Sequence, residues 1–250
     1  MWWTRCSKLV TTGIYGDGNK HDLQLAKMQS SNCVGSVYQL ALAGDVPGIQ
    51  SILENESATN EERSNLLWEE DDIGRNALFA ASMLGRSNVV RELVKHGADV
   101  NTWTVRGYSP LHYSALWGQL DTLKTLVELG ADIQAINFRR ERAKEVASRY
   151  SKMDCADYLS WAEAKQRLQS YITMVRETLA DPERIQGKLS KEDKNVCNNT
   201  CTAKSDWILN SKNPTTQDFC EQRKHIEDVL SPILAKLTPQ ADASSKVNKQ

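Results

Sequence analysis

The chain has no run of apolar residues long enough to cross a membrane. Its longest, such as Ser36–Ala43, fall far short of the roughly 20 residues a helical span requires. A secretory start is missing too, since no long apolar core follows Met1-Trp2-Trp3-Thr4-Arg5, so a cytoplasmic location is expected. There is no excess of either charge. With 31 basic and 32 acidic side chains the formal net charge is −1, and no global field draws the chain to nucleic acid or a membrane surface. Six cysteines, at 6, 33, 155, 197, 201 and 220, include no Cys-x2-Cys pair and read as reduced thiols. In such a compartment the glycosylation-like triplets at Asn55 and Asn198 have no meaning. Cys197 and Cys201 share a helix face, and Cys220 and His225 could in principle join them. Fewer than four firm ligands at a zinc spacing means that no metal is expected. Histidines are few: 21, 96, 112 and 225. No Ser or Cys lies in a nucleophile-type turn, so neither catalysis nor a cofactor is expected. Gly13, Gly16 and Gly18 follow no strand and precede no Lys-Ser/Thr, so they read as part of a flexible leader rather than a phosphate loop.

What the chain does have is a period. Gly74 and Gly107 stand 33 positions apart, as do Leu78 and Leu111, Gly85 and Gly118, and Gly97 and Gly130. Units of this length leave an apolar face that only a neighbouring unit can cover, which specifies an all-α solenoid. In the clearest unit, Ser109-Pro110-Leu111-His112 opens a helix. Ser109 caps it, Pro110 fits its first position, and Leu111 points inward. His112 can bond back to Ser109 and tie neighbouring loops. The small pairs Ala80-Ala81 and Ser114-Ala115 let paired helices approach closely. Gly85 and Gly118 make the turn between them, and Gly97 and Gly130 close the second helices. These residues resemble the ankyrin-repeat family over about half of the chain. The resemblance implies a non-enzymatic stack that holds protein partners against its loop tips and first-helix surface.

The repeats are expected over 33–163, two clear (71–103 and 104–135) and two degenerate (33–53 and 136–163), after a leader at 1–32. The polar segment Asn55–Asn65 takes the extra length between the first two, because loop closure costs grow slowly. In the first clear repeat Asn76-Ala77-Leu78-Phe79 keeps a cap, but Phe79 cannot make the histidine's bond. In the last, Arg140 replaces the repeated glycine, and Arg142, Lys144, Glu145 and Arg149 give the polar face of a terminal cap.

After residue 163 the period ends. Ser190 with Asp193 is a helix start, and Phe219, Ile226, Leu230, Ile233 and Leu237 keep the spacing of a bundle helix that contains Pro232. Ala164–Tyr171, Gln186–Lys194, Asp206–Ile208 and Asp218–Ile233 are similar to the lid of the seventy-kilodalton heat-shock chaperones. The resemblance implies a small helical bundle over 164–238, followed by a disordered tail at 239–250, and a heat-shock chaperone or co-chaperone as a partner. Asn198, Lys204 and Ser205 depart from it, standing where a lid is apolar. No segment resembles that family's nucleotide-binding or peptide-holding domain, and the last residues, Lys246–Gln250, are not its Glu-Glu-Val-Asp end. ATP-driven refolding is therefore not expected. A repeat stack joined to such a tail resembles one vertebrate family of ankyrin-repeat proteins. That resemblance implies a cytoplasmic protein at cytoskeletal structures such as the centrosome and cilium.

Register places Ile73, Arg75, Met83 and Leu84 from one repeat, and Trp103, Arg106, Tyr108, Leu116 and Trp117 from the next, toward the groove. Exposed aromatics and arginines are the usual anchors of an interface. The competing reading packs Leu84, Leu116 and Trp117 against the adjacent repeat. Asn101, in Asp99-Val100-Asn101, resembles the ankyrin motif modified by an asparaginyl hydroxylase. Charge runs from acidic at Glu54–Asp72 to basic at Arg139–Lys152, either to steer a partner or simply as solvated faces. Two functions follow as expectations. One is an adaptor with the groove on one partner and the tail on another. The other is a structural component of a cytoskeletal assembly that self-associates through its tail.

Overall fold

The computed structural model describes residues 37–55, 59–71 and 73–237. The expected leader and disordered tail, with Cys6 and Cys33, lie outside the described residues. All regular elements among the described residues are helices. The stack comprises α1 (Val37–Ala43), α2 (Val46–Leu53), α3 (Asn60–Trp68), α4 (Ala77–Met83), α5 (Ser87–Lys95), α6 (Pro110–Trp117), α7 (Leu120–Glu128) and α8 (Ala143–Arg149). Then come α9 (Met153–Ala180), the short α10 (Pro182–Ile185), α11 (Lys191–Asn210) and α12 (Thr216–Leu234), which runs into a 3-10 turn at Ala235–Leu237.

Helices of seven to nine residues, the lengths of α1 to α8, do not hold in water alone. Here packing holds them. α1, α4, α6 and α8 stack in one row, and α2, α5, α7 and the start of α9 in a second. The 33-residue register sets equivalent sockets. Leu78 and Leu111 are each 1% exposed, and Leu93, Leu126 and Leu159 are 0, 0 and 2% exposed. Ala81, Ser114 and Ala147 are fully buried where the first-row helices meet, and the Ser114 hydroxyl is satisfied by the Leu111 carbonyl at 3.0 Å.

Local chemistry sets the helix starts. The Asn76 side chain accepts from the Leu78 amide at 3.0 Å. The Ser109 amide donates to His112 Nδ1 at 3.1 Å, while the Ser109 hydroxyl caps the His112 amide. With Nδ1 accepting, Nε2 carries the proton and donates to the Glu141 carbonyl of the next repeat at 3.0 Å. His112 is therefore neutral, and burial depresses its pKa. The inter-helix turn needs the left-handed region: Gly85 and Gly118 adopt φ of 73° and 71°, and their counterpart in the last repeat is Ser151 at φ 56°. The other repeated glycine, at Gly74 and Gly107, is matched by Arg140 at φ 59°.

The segment expected to take the extra length as a helical turn or a loop, Asn55–Asn65, holds most of α3. Leu67 anchors it in the core, with Leu66 packed alongside, and Arg63 closes the connection by donating to the Asn55 carbonyl at 2.7 Å. Two leucines near the end of an acidic stretch dock this helix, and Trp68 at its end stays 45% exposed.

The second helix of the last repeat does not stop where its equivalents do. Gly97 and Gly130 terminate α5 and α7 at φ 98° and 93°, and the residue in that register is Glu163. A glutamate carries helical geometry onward where glycine would have left it. Consequently α9 runs 28 residues, from the stack into the C-terminal helices, and the expected division at 163/164 falls inside it. Leu168, Tyr171, Ile172 and Val175 of α9, Cys197 and Cys201 of α11, and Phe219, Ile226 and Leu230 of α12 form a second core. At the joint, Phe219 meets Trp161 and Trp207 edge-on, with centroids 5.7 and 5.3 Å away, and the Trp161 indole donates to the Pro214 carbonyl at 2.8 Å. Of the polar departures on α11, Asn198 is exposed and Lys204 donates to Gln222 at 2.6 Å. Ser205 donates to the Cys201 carbonyl and accepts from Arg176.

Candidate functional site

Between the helix pairs the chain forms projecting loop tips, each built on one polar residue. The Asp71 carboxylate accepts from the Ile73 and Arg75 amides at 3.1 and 2.9 Å. The Thr104 hydroxyl accepts from the Tyr108 amide at 3.2 Å. The Asn137 side-chain oxygen accepts from the Arg139 and Glu141 amides at 2.8 and 3.1 Å. These three residues share the 33-residue register, and that spacing is their signal in the sequence. Successive tips are also tied to each other: the Val105 amide donates to the Ile73 carbonyl at 3.3 Å, and the Phe138 amide to the Arg106 carbonyl at 3.0 Å.

This scaffold carries an apolar ridge. Trp103 is 70% exposed, Val105 84%, Ile136 56% and Phe138 54%. Arg106 is exposed beside them, and its guanidinium carbon lies 5.6 Å from the Phe138 ring centroid, with that of Arg139 at 5.4 Å. Below the ridge, Phe138, Tyr108, Tyr113 and Phe79 form a chain of rings with centroids 6.1, 5.7 and 5.5 Å apart. The chain ends in the fully buried Phe79. The position where histidine is expected thus supports the tips by packing instead of by a hydrogen bond.

The expected groove residues divide. Trp103, Arg106 and Leu84 are exposed, Ile73, Tyr108, Leu116 and Trp117 half-buried. The Trp117 indole nitrogen is buried without an acceptor among the described residues. Arg75 and Met83 do not reach the surface. The Arg75 side chain folds onto Asp71, with Nε and Nη2 at 2.8 and 2.6 Å from one carboxylate oxygen, and Met83 lies on α4, which is buried along its whole length. Val105, Ile136 and Phe138 were not among the candidates. They sit in irregular backbone, and only their register with one another and with Trp103 marks them. Asn101 is exposed, yet its amide bridges repeats, donating to the Gly130 carbonyl at 3.2 Å and accepting from the Asp132 amide at 2.7 Å.

Two charged clusters brace the stack. At its acidic end Glu54, Glu92 and His96 bring ligand-type atoms within 4.8 Å of one another. The Lys95 ammonium lies 3.0 and 3.4 Å from the two carboxylates, in the place a cation would take, and its hydrogen bond holds the Glu92 carboxyl below the usual range. The cysteines enter no such group among the described residues: Cys197 and Cys201 are buried, and Cys220 is exposed. At the basic end the Glu163 carboxylate, 8% exposed, receives Arg142 at 2.6 Å, Arg167 at 2.8 Å and Lys144 at 3.6 Å. Burial alone would raise the Glu163 carboxyl, but Arg142 and then Arg167 outweigh it, and its pKa falls below the ordinary value.

A family described as ankyrin repeats in three copies matches residues 38–137. The hairpin of α8 and α9 continues the same packing beyond that match. Ankyrin repeat domain-containing protein 45 of Danio rerio is 62% identical over 216 residues, which cover 86% of this chain and 96% of that protein. The chain belongs to the ankyrin repeat domain-containing protein 45 family. Members from Homo sapiens and Mus musculus are each 46% identical, over 210 and 211 residues, covering 84% of this chain and 79 and 85% of theirs. For a member of this family the repeats indicate a role in protein–protein interaction. No helix among the described residues is long and apolar enough to cross a membrane.

Proposed function

We propose that the chain is a non-enzymatic adaptor whose loop-tip ridge grips one protein and whose C-terminal helices engage a second, drawn from the heat-shock chaperone system. The observation that carries the first half is the exposure of Trp103, Val105, Ile136 and Phe138 on one rigidly hydrogen-bonded scaffold. Large apolar side chains exposed together mark an interaction surface. The second half rests on the lid-like sequence of α9 to α12. Leu84, Arg106, Tyr108, Leu116 and Trp117 border the ridge in this reading. Proximity labelling in cells, comparing the full chain with W103S/V105S/F138S, tests it. Loss of a defined set of neighbours with unchanged circular dichroism is expected, and an identical set would refute the ridge. Retention of a chaperone or co-chaperone in both sets supports the tail assignment, and its absence from both removes it.

A second reading, a self-associating component of a centrosomal or ciliary assembly, is favoured by apolar exposure on the tail. Leu209 is 80% exposed, Met174 43% and Val196 42%. Light scattering decides it: a concentration-dependent oligomer lost in L209E supports assembly, and a monomer at every concentration removes it.

A further inference from the structure

We infer that the ridge takes an acidic peptide segment with apolar side chains interleaved among its carboxylates. This rests on the interaction reading above and adds the chemistry of the partner. Arg63 and Arg86 aside (Arg86 is exposed beside Gly44 and also enters no ion pair among the described residues), the arginines of the stack and the start of α9 are of two kinds. Arg75, Arg91, Arg142, Arg149 and Arg167 are each in an ion pair. Arg106, Arg139 and Arg140 are exposed, and none meets a carboxylate among the described residues. Those three stand on the two tips that carry the apolar ridge, and residues 103–108 and 136–140 contain no Asp or Glu. These two tips by themselves therefore carry a net of three positive charges beside the exposed apolar side chains, and the Glu70 carboxylate of the preceding tip stands near Val105.

Two of these guanidiniums are also held in place. Arg106 and Arg139 lie against the same Phe138 ring, an arrangement that restrains side chains otherwise free to wander. The tip that carries Arg139 and Arg140 is pinned to its neighbour through the Phe138 amide. A partner supplying carboxylates here loses little entropy in ordering the arginines, and a planar guanidinium can receive each carboxylate in two-pronged fashion. Trp103, Val105 and Ile136 offer apolar contact beside the charges. A nucleic acid fits less well. The Phe138 ring is engaged by guanidiniums, and Val105 and Ile136 offer no ring, so Trp103 alone of the four ridge side chains is left for a base to stack on.

The experiment is a display selection. A random twelve-residue peptide library is sorted on the full chain, and the enriched pool is measured against wild type, R106E/R139E/R140E and W103S/V105S/F138S, each checked by circular dichroism and thermal melting. The expected pool is net negative and rich in Leu, Ile, Phe or Trp. It binds the charge-reversed variant at least roughly ten-fold more weakly, and that variant selects a net positive pool of its own. R106Q/R139Q/R140Q gives an intermediate loss and serves if charge reversal disturbs the fold. A neutral or basic pool that still depends on Trp103, Val105 and Phe138 would overturn the acidic partner and leave the interaction reading standing. A pool indifferent to every variant, or no pool at all, would overturn both. A twelve-nucleotide oligo(dT) binding more tightly than the best peptide, and losing that binding in R106E/R139E/R140E, would replace the peptide with a nucleic acid.

Discussion

Replacing Glu163 by glutamine keeps the shape of the side chain at the stack–tail joint and removes its charge. The carboxylate is 8% exposed and meets Arg142 at 2.6 Å and Arg167 at 2.8 Å. Arg142 is 28% exposed, so its contact is the stronger of the two. A hydrogen bond between charged groups in such a place contributes about 1.5–3 kcal/mol. Arg167 is 67% exposed, and solvent screening limits its share to well under about 1 kcal/mol. Arg142 keeps Glu145 as a partner, which spares it the full penalty of an abandoned buried charge. The expected cost of E163Q is therefore about 2–3 kcal/mol. Urea unfolding followed by circular dichroism and tryptophan fluorescence measures it, and a cycle with R142A isolates the pair. Coupling of about 1–2 kcal/mol is expected. The sign against pH is fixed as well. Because the folded-state pKa of Glu163 is depressed, its contribution is complete above the unfolded carboxyl value of about 4.3 and fades as pH falls through the lower folded value. A coupling below about 0.5 kcal/mol, or one unchanged by acid, would refute the account of this joint.

Three further outcomes follow from the repeats. Arg140→Gly and Ser151→Gly, at φ of 59° and 56°, should each stabilise the fold by about 0.5–1 kcal/mol by relieving left-handed strain, and an unchanged or lower midpoint of thermal unfolding counts against that. Gly85→Ala should cost about 1–2 kcal/mol, since φ is 73° and the new methyl meets the Gln119 side chain; urea unfolding within about 0.3 kcal/mol of wild type would contradict it. His112 has its pKa lowered by burial, so wild type should lose stability as pH falls below the unfolded value of about 6.5, where the unfolded chain binds the extra proton. His112→Gln should be less stable at pH 7.5 and flatter across that window, and parallel pH profiles for the two chains would rule out the neutral tie.

The sequence showed the solenoid because its signals repeat. Leu78 and Leu111 occupy like sockets since both the spacing and the residue recur, and the Asn76 and Ser109 caps were readable from their side chains alone. Local electrostatics was not readable in the same way. Register sends Arg75 toward the groove, but the Asp71 carboxylate four residues back captures it. The extent of α3 is not legible because Leu66 and Leu67 are outnumbered by polar neighbours. The exposed tips escaped because irregular backbone has no periodicity to expose a ridge. Glu163 was visible in principle, as the residue that breaks the series Gly97, Gly130, but its meaning needed the three cations that converge on it.

The unbroken course of α9 fixes a phase as well as a distance. At 1.5 Å and 100° per residue, its 28 residues reach about 42 Å. One residue inserted between Glu163 and Leu168 would swing Tyr171, Ile172 and every surface beyond them by about 100° around the helix axis. Side chains along that stretch are free to drift, whereas its length is not. Lineages that kept both halves of this chain working should therefore have exchanged residues there without gaining or losing any.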